Sequence, residues 1–519
     1  LKQYLLLTLF AFSLATSQCG YAKTLTVLYT NDIESVYEPV ESFWRADISR
    51  IGGMGHLSTL INGIRVRESN TLLVDAGDMF TGSLSKATEG RLVFDLYNAM
   101  GYDAVNLGNH EFEYGREILH HVMQRAQFPV LNANIFYDNT DIHFSQQYTI
   151  KNVNGIRVGI IGLMGVDAFI NTMMKSNREG LYVKPPIAVL QSLIDKLRPD
   201  VDMVIVLTHQ NRTAPMQTNK ESDAEVQRGF DEDFELAGAV QGVDLIVGGH
   251  SDNGLKVPVQ HPKTGTTIVM TYGQGMHLGY AKFEINQNPT HKPKLIEGRL
   301  IPVDADRYPA NPRISDLISQ ARAEHPELAT VVGSLDRQAY RKYYREAPLG
   351  NLLADMLREH ANADVGLVAA GAIRADLEAG EITIEEVLNV FPFTDTVSIL
   401  TIDGETLRQV LEKGLSLEYG LAQFSGVVAH YDGSKPPRER LVSARIGGKA
   451  LDPKSTYRLV TGSFTATGGE NYVMFDGVPH ERSDLLVSDV FIKAFVTQEM
   501  TTVPELGRLI DDSVALAEP

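Results

Sequence analysis

The sequence predicts an α/β protein of two domains joined by a short polar linker. Three observations carry that reading. From Thr24 onward, short apolar runs alternate with helix-like patterns. Five of those runs end in Asp, Asn, His or Glu. A strand-rich segment then ends near Ile301, and Pro302, Pro309 and Pro312 punctuate the chain before a mixed pattern resumes at Val331. At 519 residues, with 43% hydrophobic content, the chain has enough apolar material for two or three real cores. A formal net charge of −18 leaves no overall field to hold a phosphate backbone, which argues against a nonspecific nucleic-acid binder. An anionic substrate would need a local cluster of Arg, Lys or metal.

The first 22 residues read as an export signal, with Lys2 ahead of an apolar run from Leu5 to Phe12 that is too short to span a bilayer. Gly20-Tyr21-Ala22 offers small residues at the −3 and −1 positions of a cleavage site, so a mature chain is expected from Lys23. Cys19, the single cysteine, falls inside this segment, and a mature chain would have neither disulfide nor thiol chemistry. Lipidation at Cys19 is disfavoured by Gln18 before it. The expected product is periplasmic or secreted, with no membrane association after cleavage.

The apolar runs then follow in order. Leu25 to Tyr29 ends in Thr30-Asn31-Asp32-Ile33-Glu34, and Thr71 to Val74 ends in Asp75-Ala76-Gly77-Asp78. Ala104 to Leu107 ends in Gly108-Asn109-His110-Glu111-Phe112-Glu113, ahead of a helix-like segment from Arg116 to Gln127. Met203 to Leu207 ends in Thr208-His209, and Leu245 to Val247 ends in Gly248-Gly249-His250-Ser251-Asp252. Sites in α/β sheets form at the carboxyl ends of strands, so these side chains can converge on one rim. A carboxylate such as Asp78 can bridge two cations, which would lower the pKa of a shared water and neutralise a phosphate. His110 can donate a proton to a leaving group, and an acid three residues on can hold its tautomer. Taken singly, Asp32 is a turn residue and His209 a core histidine; five coincidences at five strand ends make that reading improbable for the set. His120, His121 and His277 lack such a setting and read as ordinary helix-face or loop residues.

These five motifs, in this order and spacing, resemble the calcineurin-like metallophosphoesterases, and in particular the 5′-nucleotidase/UDP-sugar hydrolase family. The resemblance implies a four-layer α/β/β/α first domain over residues 23–305, binding two divalent metal ions. It implies Asp32, Asp78, Asn109, His209 and His250 as metal ligands, and His110 as the catalytic imidazole paired with Glu113, where the family usually has Asp. Two departures fall on one metal position. Glu34 stands where the family has His, and Asp252 where His or Gln is usual. One metal is then expected among Asp32, Glu34, Asp78 and Asp252, and the other among Asp78, Asn109, His209 and His250. An all-oxygen shell favours Mn²⁺, Mg²⁺ or Ca²⁺ over Zn²⁺.

A linker over 306–330 with a polar helix from Ile314 to Glu324 separates this domain from residues 331–519. In the second domain Arg337, Arg341, Lys342 and Arg345 form a basic cluster, Arg374 follows a buried-type strand, and Phe393 and Phe464 come later. Two rings can sandwich a base and guanidiniums can hold phosphate, although Phe is more often core. Leu349-Gly350-Asn351-Leu352, Gly371 to Arg374, Pro392-Phe393, Phe424-Ser425-Gly426 and Phe464 to Gly469 resemble the C-terminal nucleotide-binding domain of the same family. The resemblance implies a base stacked between Phe393 and Phe464, with Arg341, Arg345 and Arg374 on the phosphate or ribose side and Glu470 meeting the ribose hydroxyls. Ala369 replaces a frequent Asn, which would alter base preference.

The expected activity is release of phosphate from nucleoside 5′-monophosphates by a metal-dependent hydrolase, monomeric or dimeric. The alternatives are a UDP-sugar or dinucleotide pyrophosphatase, a 2′,3′-cyclic nucleotide phosphodiesterase, and a catalytically silent nucleotide-binding protein. Hydrolysis of sulfur conjugates, known in a more distant relative of the fold, is opposed by the aromatic pair.

Overall fold

The structure, a computed structural model, describes residues 23–42, 46–211, 230–286, 292–498 and 500–515. The proposed signal and Cys19 lie outside the described residues.

The apolar runs of the first domain build two six-stranded sheets. In one, Lys23–Thr30, Thr71–Asp75, Ala104–Asn106 and Val130–Leu131 run parallel, and His277–Ile285 and Lys294–Pro302 close the edge antiparallel. In the other, Met203–His209 lies at the centre, parallel to both Ile156–Met164 and Leu245–Gly249. The central runs are continuously apolar because both faces are covered. Leu25, Val27 and Tyr29 point between the sheets against Val158, Ile160, Ile205 and Leu207, whereas Leu28 points outward to the helices. Met54–Arg67, Arg91–Met100 and Arg116–Met123 pack on the outside of the first sheet, and Pro186–Leu197 and Asp231–Ala239 on the outside of the second. The layers are α/β/β/α. The helix after the Asn109 turn ends at Met123, with residues 124–125 continuing as a turn.

The linker helix spans Pro312–Glu324, begun by Pro312 at its first position and by the Asn311 side chain accepting from the Arg313 amide. Ile314, Ile318 and Ala321 recur at helical spacing and join the first domain's core, so the helix is docked on that domain. Arg91 and Glu324 add an ion pair at its end.

The second domain carries a five-stranded sheet in the order Gln423–Ser425, Val365–Val368, Thr456–Gly462, Thr396–Asp403, His480–Leu486. Helices Pro348–Ala361, Ile384–Val390 and Val487–Val496 share one core on it, and Gly404–Gly414 belongs to the other. Among the described residues no helix is long and apolar enough to cross a membrane.

Candidate active site

Five strands of the two sheets deliver their last residues to one end of the first domain. The loops they feed are laced by main-chain bonds: the Asp32 amide donates to Gly77 O over 2.9 Å and the Glu34 amide to Asp78 O over 3.0 Å. Glu111 does more. Its carboxylate accepts from the amides of Gly108, Asp78, Met79 and Phe80 at 2.5, 3.0, 2.6 and 3.2 Å, so one buried side chain ties the second loop to the third. Gly108 is required by that approach, since a Cβ there would fall 2.2 Å from Asp78 Oδ1. The backbone at the site is strained. Asp32, Glu34, Asp78, His250 and Asp252 hold φ of 51°, 49°, 59°, 78° and 53°, left-handed values that non-glycine residues adopt at a cost of about 1–3 kcal/mol each. Packing and the lacing bonds offset that cost.

Asp78, His209 and His250 are all buried and each offers a ligand atom within 4.8 Å of the other two. His209 Nε2 lies 2.9 Å from Asp78 Oδ2 and 3.1 Å from Asn109 Oδ1, while its Nδ1 lies 3.0 Å from Ala76 O. A carbonyl at Nδ1 makes that nitrogen the donor and leaves Nε2 as the ligand atom. Asp32 accepts from the His250 amide over 2.8 Å and from Asn31 Nδ2 over 2.8 Å. Asp252 is buried and its Oδ1 has no hydrogen-bond partner. A buried carboxylate oxygen without a donor, beside Asp32 and Asp78, is a demand for a cation. The donor set therefore fits divalent metal.

His110 Nδ1 is bonded to Glu113 Oε1, which also accepts from Thr81 Oγ1 over 3.2 Å. Its Nε2 faces the acidic cluster, 3.7 Å from Glu34 Oε1 and 3.8 Å from Asp78 Oδ2. Burial would discharge the ring, but the Asp78 and Glu113 carboxylates outweigh it and push its pKa up to about 10. His250 moves the other way, down to about 3, through burial and the neighbouring His209. Burial also raises Glu111 to about 7.

A cavity between the domains is lined by this cluster on one wall and by Arg374, Phe393, Phe464 and Glu470 on the other. The Phe393 and His110 rings stack at 6.0 Å and 25°. Asp395 accepts from the Phe464 amide over 2.7 Å and from Ser463 Oγ over 3.0 Å, which fixes the Phe464 turn. Arg341 lines a second interdomain cavity instead, with its amide on Asp376 Oδ1 at 2.7 Å. Arg345 is exposed and lines neither cavity; the chain bends over residues 343–345, so the basic cluster is dispersed and Tyr343 takes the inward position. Glu34 pairs with Arg374 across the cleft.

Sequence reasoning overlooked Glu111 and Asp395 as positioning residues, and Tyr343, Tyr419, Met173 and Met174 as cavity lining. Glu111 had a signal, a carboxylate inside a turn that also carries the site. The others had none, because only tertiary packing brings them to the cavity.

Two family models match the chain: a calcineurin-like phosphoesterase over residues 25–253, and a 5′-nucleotidase C-terminal domain over residues 323–477. A snake venom 5′-nucleotidase from Naja atra is 29% identical, with 90% of this chain and 94% of the relative covered. A 5′-nucleotidase precursor from Thermus thermophilus superposes with a TM-score of 0.83 at 24% identity, covering 94% of this chain and 99% of the other. A sulfate thiohydrolase from Thermus thermophilus superposes at 0.76 with 19% identity, covering 94% and 96%. At such identities the two superpositions speak for the fold alone.

Proposed function

We propose that this chain, a member of the 5′-nucleotidase family of metal-dependent phosphoesterases, is an exported enzyme that releases phosphate from nucleoside 5′-monophosphates. One observation carries the reading. An imidazole held by a carboxylate stands at a buried acidic cluster, and the cavity it opens into is walled opposite by two aromatic rings and a carboxylate of the second domain. A phosphate-binding end and a nucleoside-binding end thus share one space.

Divalent cations bound by Asp32, Asp78, Asn109, His209, His250 and Asp252 would neutralise the phosphate and activate a water. The rest belongs to the chain's own groups. Phe393 and Phe464 would hold the base by stacking, and Glu470 would accept from the ribose hydroxyls. Arg374 would take a phosphate oxygen. Glu113 fixes the His110 ring through Nδ1, so that the proton at Nε2 is the one delivered to the leaving oxygen. Mn²⁺, Mg²⁺ or Ca²⁺ is favoured over Zn²⁺ at the position that Asp252 and Glu34 border, because the donors there are oxygens. Within the 306–330 linker, the stretch after the docked helix would serve as the hinge between the domains, and residues 1–22 as the export signal.

The test is phosphate release from AMP by metal-stripped protein supplied in turn with Mn²⁺, Mg²⁺, Ca²⁺ and Zn²⁺, beside His110→Ala. Release with the harder cations, lost in the variant, supports both the reaction and the metal preference. Silence on AMP with turnover of a UDP-sugar, a dinucleotide or a 2′,3′-cyclic nucleotide would replace the substrate. Nucleotide binding without any turnover would replace the enzyme by a binding protein.

A further inference from the structure

Among the described residues, Glu34 and Arg374 are the two that line both interdomain cavities, and they form an ion pair with each other. Glu34 comes from the first domain on a turn where Asp32, Glu34 and Ser35 all hold left-handed backbone, with φ of 51°, 49° and 53°. Its side chain is 3% exposed. Arg374 comes from the second domain, anchored by its amide on Val390 O at 2.9 Å and by Nη1 on Gly371 O at 3.3 Å. The same Glu34 oxygen lies 3.7 Å from His110 Nε2, which is 3.8 Å from Asp78 Oδ2. One carboxylate therefore stands where two cations can claim it. The guanidinium of the second domain is one; a divalent ion held beside Asp32, Asp78 and Asp252 is the other.

Charge explains why the claims compete. Asp32, Glu34, Asp78 and Asp252 are all buried at this site. Buried carboxylates need a nearby positive charge, and a guanidinium answers that need for Glu34 as a metal would. A cation at that position would draw on the same Oε1 that now faces the guanidinium, and each positive charge lowers the pull of the carboxylate on the other. A histidine at position 34 would ligate a metal but could not hold Arg374, so the departure to Glu34 supplies the charge that an interdomain pair requires.

We infer that Glu34 is a metal-released latch: while its metal position is unfilled it ties the two domains together through Arg374, and a divalent cation that takes Glu34 frees Arg374 for the substrate's phosphate. By linkage the coupling is reciprocal: the factor by which the Glu34–Arg374 pair weakens that metal position is the factor by which the metal weakens the pair. The inference rests on the metal-dependent phosphoesterase reading but not on which nucleotide is cleaved.

The test is a Mn²⁺ titration of metal-stripped protein, counting free Mn²⁺ by electron paramagnetic resonance and following the interdomain distance with one fluorescent label on each domain. Wild type should show two classes of site, with the change in distance accompanying the weaker one. Arg374→Gln should tighten the weaker class by about tenfold and leave the tighter one in place. Glu34→His should show the Mn²⁺-loaded distance before any Mn²⁺ is added, which keeps the idea testable if Arg374→Gln fails to fold. An unaltered weaker class in folded Arg374→Gln, or a wild-type, Mn²⁺-responsive distance in Glu34→His, overturns the latch. Neither readout uses turnover, so failure here leaves the nucleotidase reading standing, and absence of nucleotide hydrolysis leaves the latch standing.

Discussion

The two ring nitrogens of His110 face different partners. Glu113 occupies Nδ1, and Nε2 is left toward the acidic cluster. Removing the ring in His110→Ala should lower kcat by about a hundredfold to ten-thousandfold while nucleotide affinity holds, as measured by steady-state kinetics beside equilibrium binding. Glu470 gives a pH test at the other end of the cavity. Burial pushes its pKa up to about 7 from 4.5, against the opposing charge of Lys413. A raised carboxyl keeps its proton longer in the folded protein than in the unfolded chain. Its stabilising contribution is therefore present below pH 4.5 and is lost as pH rises through about 7. As an acceptor for ribose hydroxyls it works ionised, so nucleoside affinity should rise across the same window. Titration calorimetry with adenosine should show that rise in the wild type and a flat profile in Glu470→Gln. A rise that persists in the variant would remove Glu470 from the ribose.

At the scale of elements, His209 is held by strand pairing, but Asp78 and Asn109 stand on loops beyond it. The strands end before Asp78 and Asn109, and Glu111 supplies the order that the ladder no longer provides by accepting four main-chain amides. Glu111→Ala would leave buried N–H groups without acceptors, at a cost of about 3 kcal/mol of stability. Urea unfolding of the metal-free protein measures it, and a loss below about 1 kcal/mol would mean the loops are held by other contacts. Metal affinity should fall in the same variant, because Asp78 is carried on the loop that Glu111 ties down. The linker helix shows the same dependence on packing. Polar by composition, it is docked on the first domain by three apolar residues at helical spacing.

At the scale of the whole molecule, the two domains meet through side chains around the cavity. Lys86 Nζ reaches Phe393 O at 3.0 Å, Tyr419 Oη reaches Asp167 at 2.9 Å, and the Ser83 amide reaches Asn389 Oδ1 at 2.9 Å. Arg322 pairs with Glu385 and Thr394 Oγ1 reaches Glu113 O, while Ile384 and Leu388 of the second domain pack against the core of the first. The sole native cysteine is Cys19, so a crosslink through Ser83→Cys and Asn389→Cys would be the one disulfide available to residues 23–519. Oxidising that variant should slow AMP turnover and reduction should restore it. Equal turnover in both states would rule out domain movement as part of the cycle.

The sequence by itself determined which groups stand at the strand ends. Short continuous apolar runs bounded by turn residues fit strands covered on both faces, and each run is followed within a few residues by the groups it delivers. Asp32, Asp78, Asn109, His110, His209 and His250 were legible for that reason, as was the pairing of His110 with Glu113, three residues away. Tertiary structure decided everything that joins distant parts of the chain. It brought Phe393 onto His110, set Asp395 beneath Phe464, turned Arg345 out to solvent and left Arg341 in the second cavity. It also paired Glu34 with Arg374. Local pattern reports which face a residue takes within its own element; which element stands opposite depends on how two separately packed cores are set against each other, and no periodicity within either one encodes that.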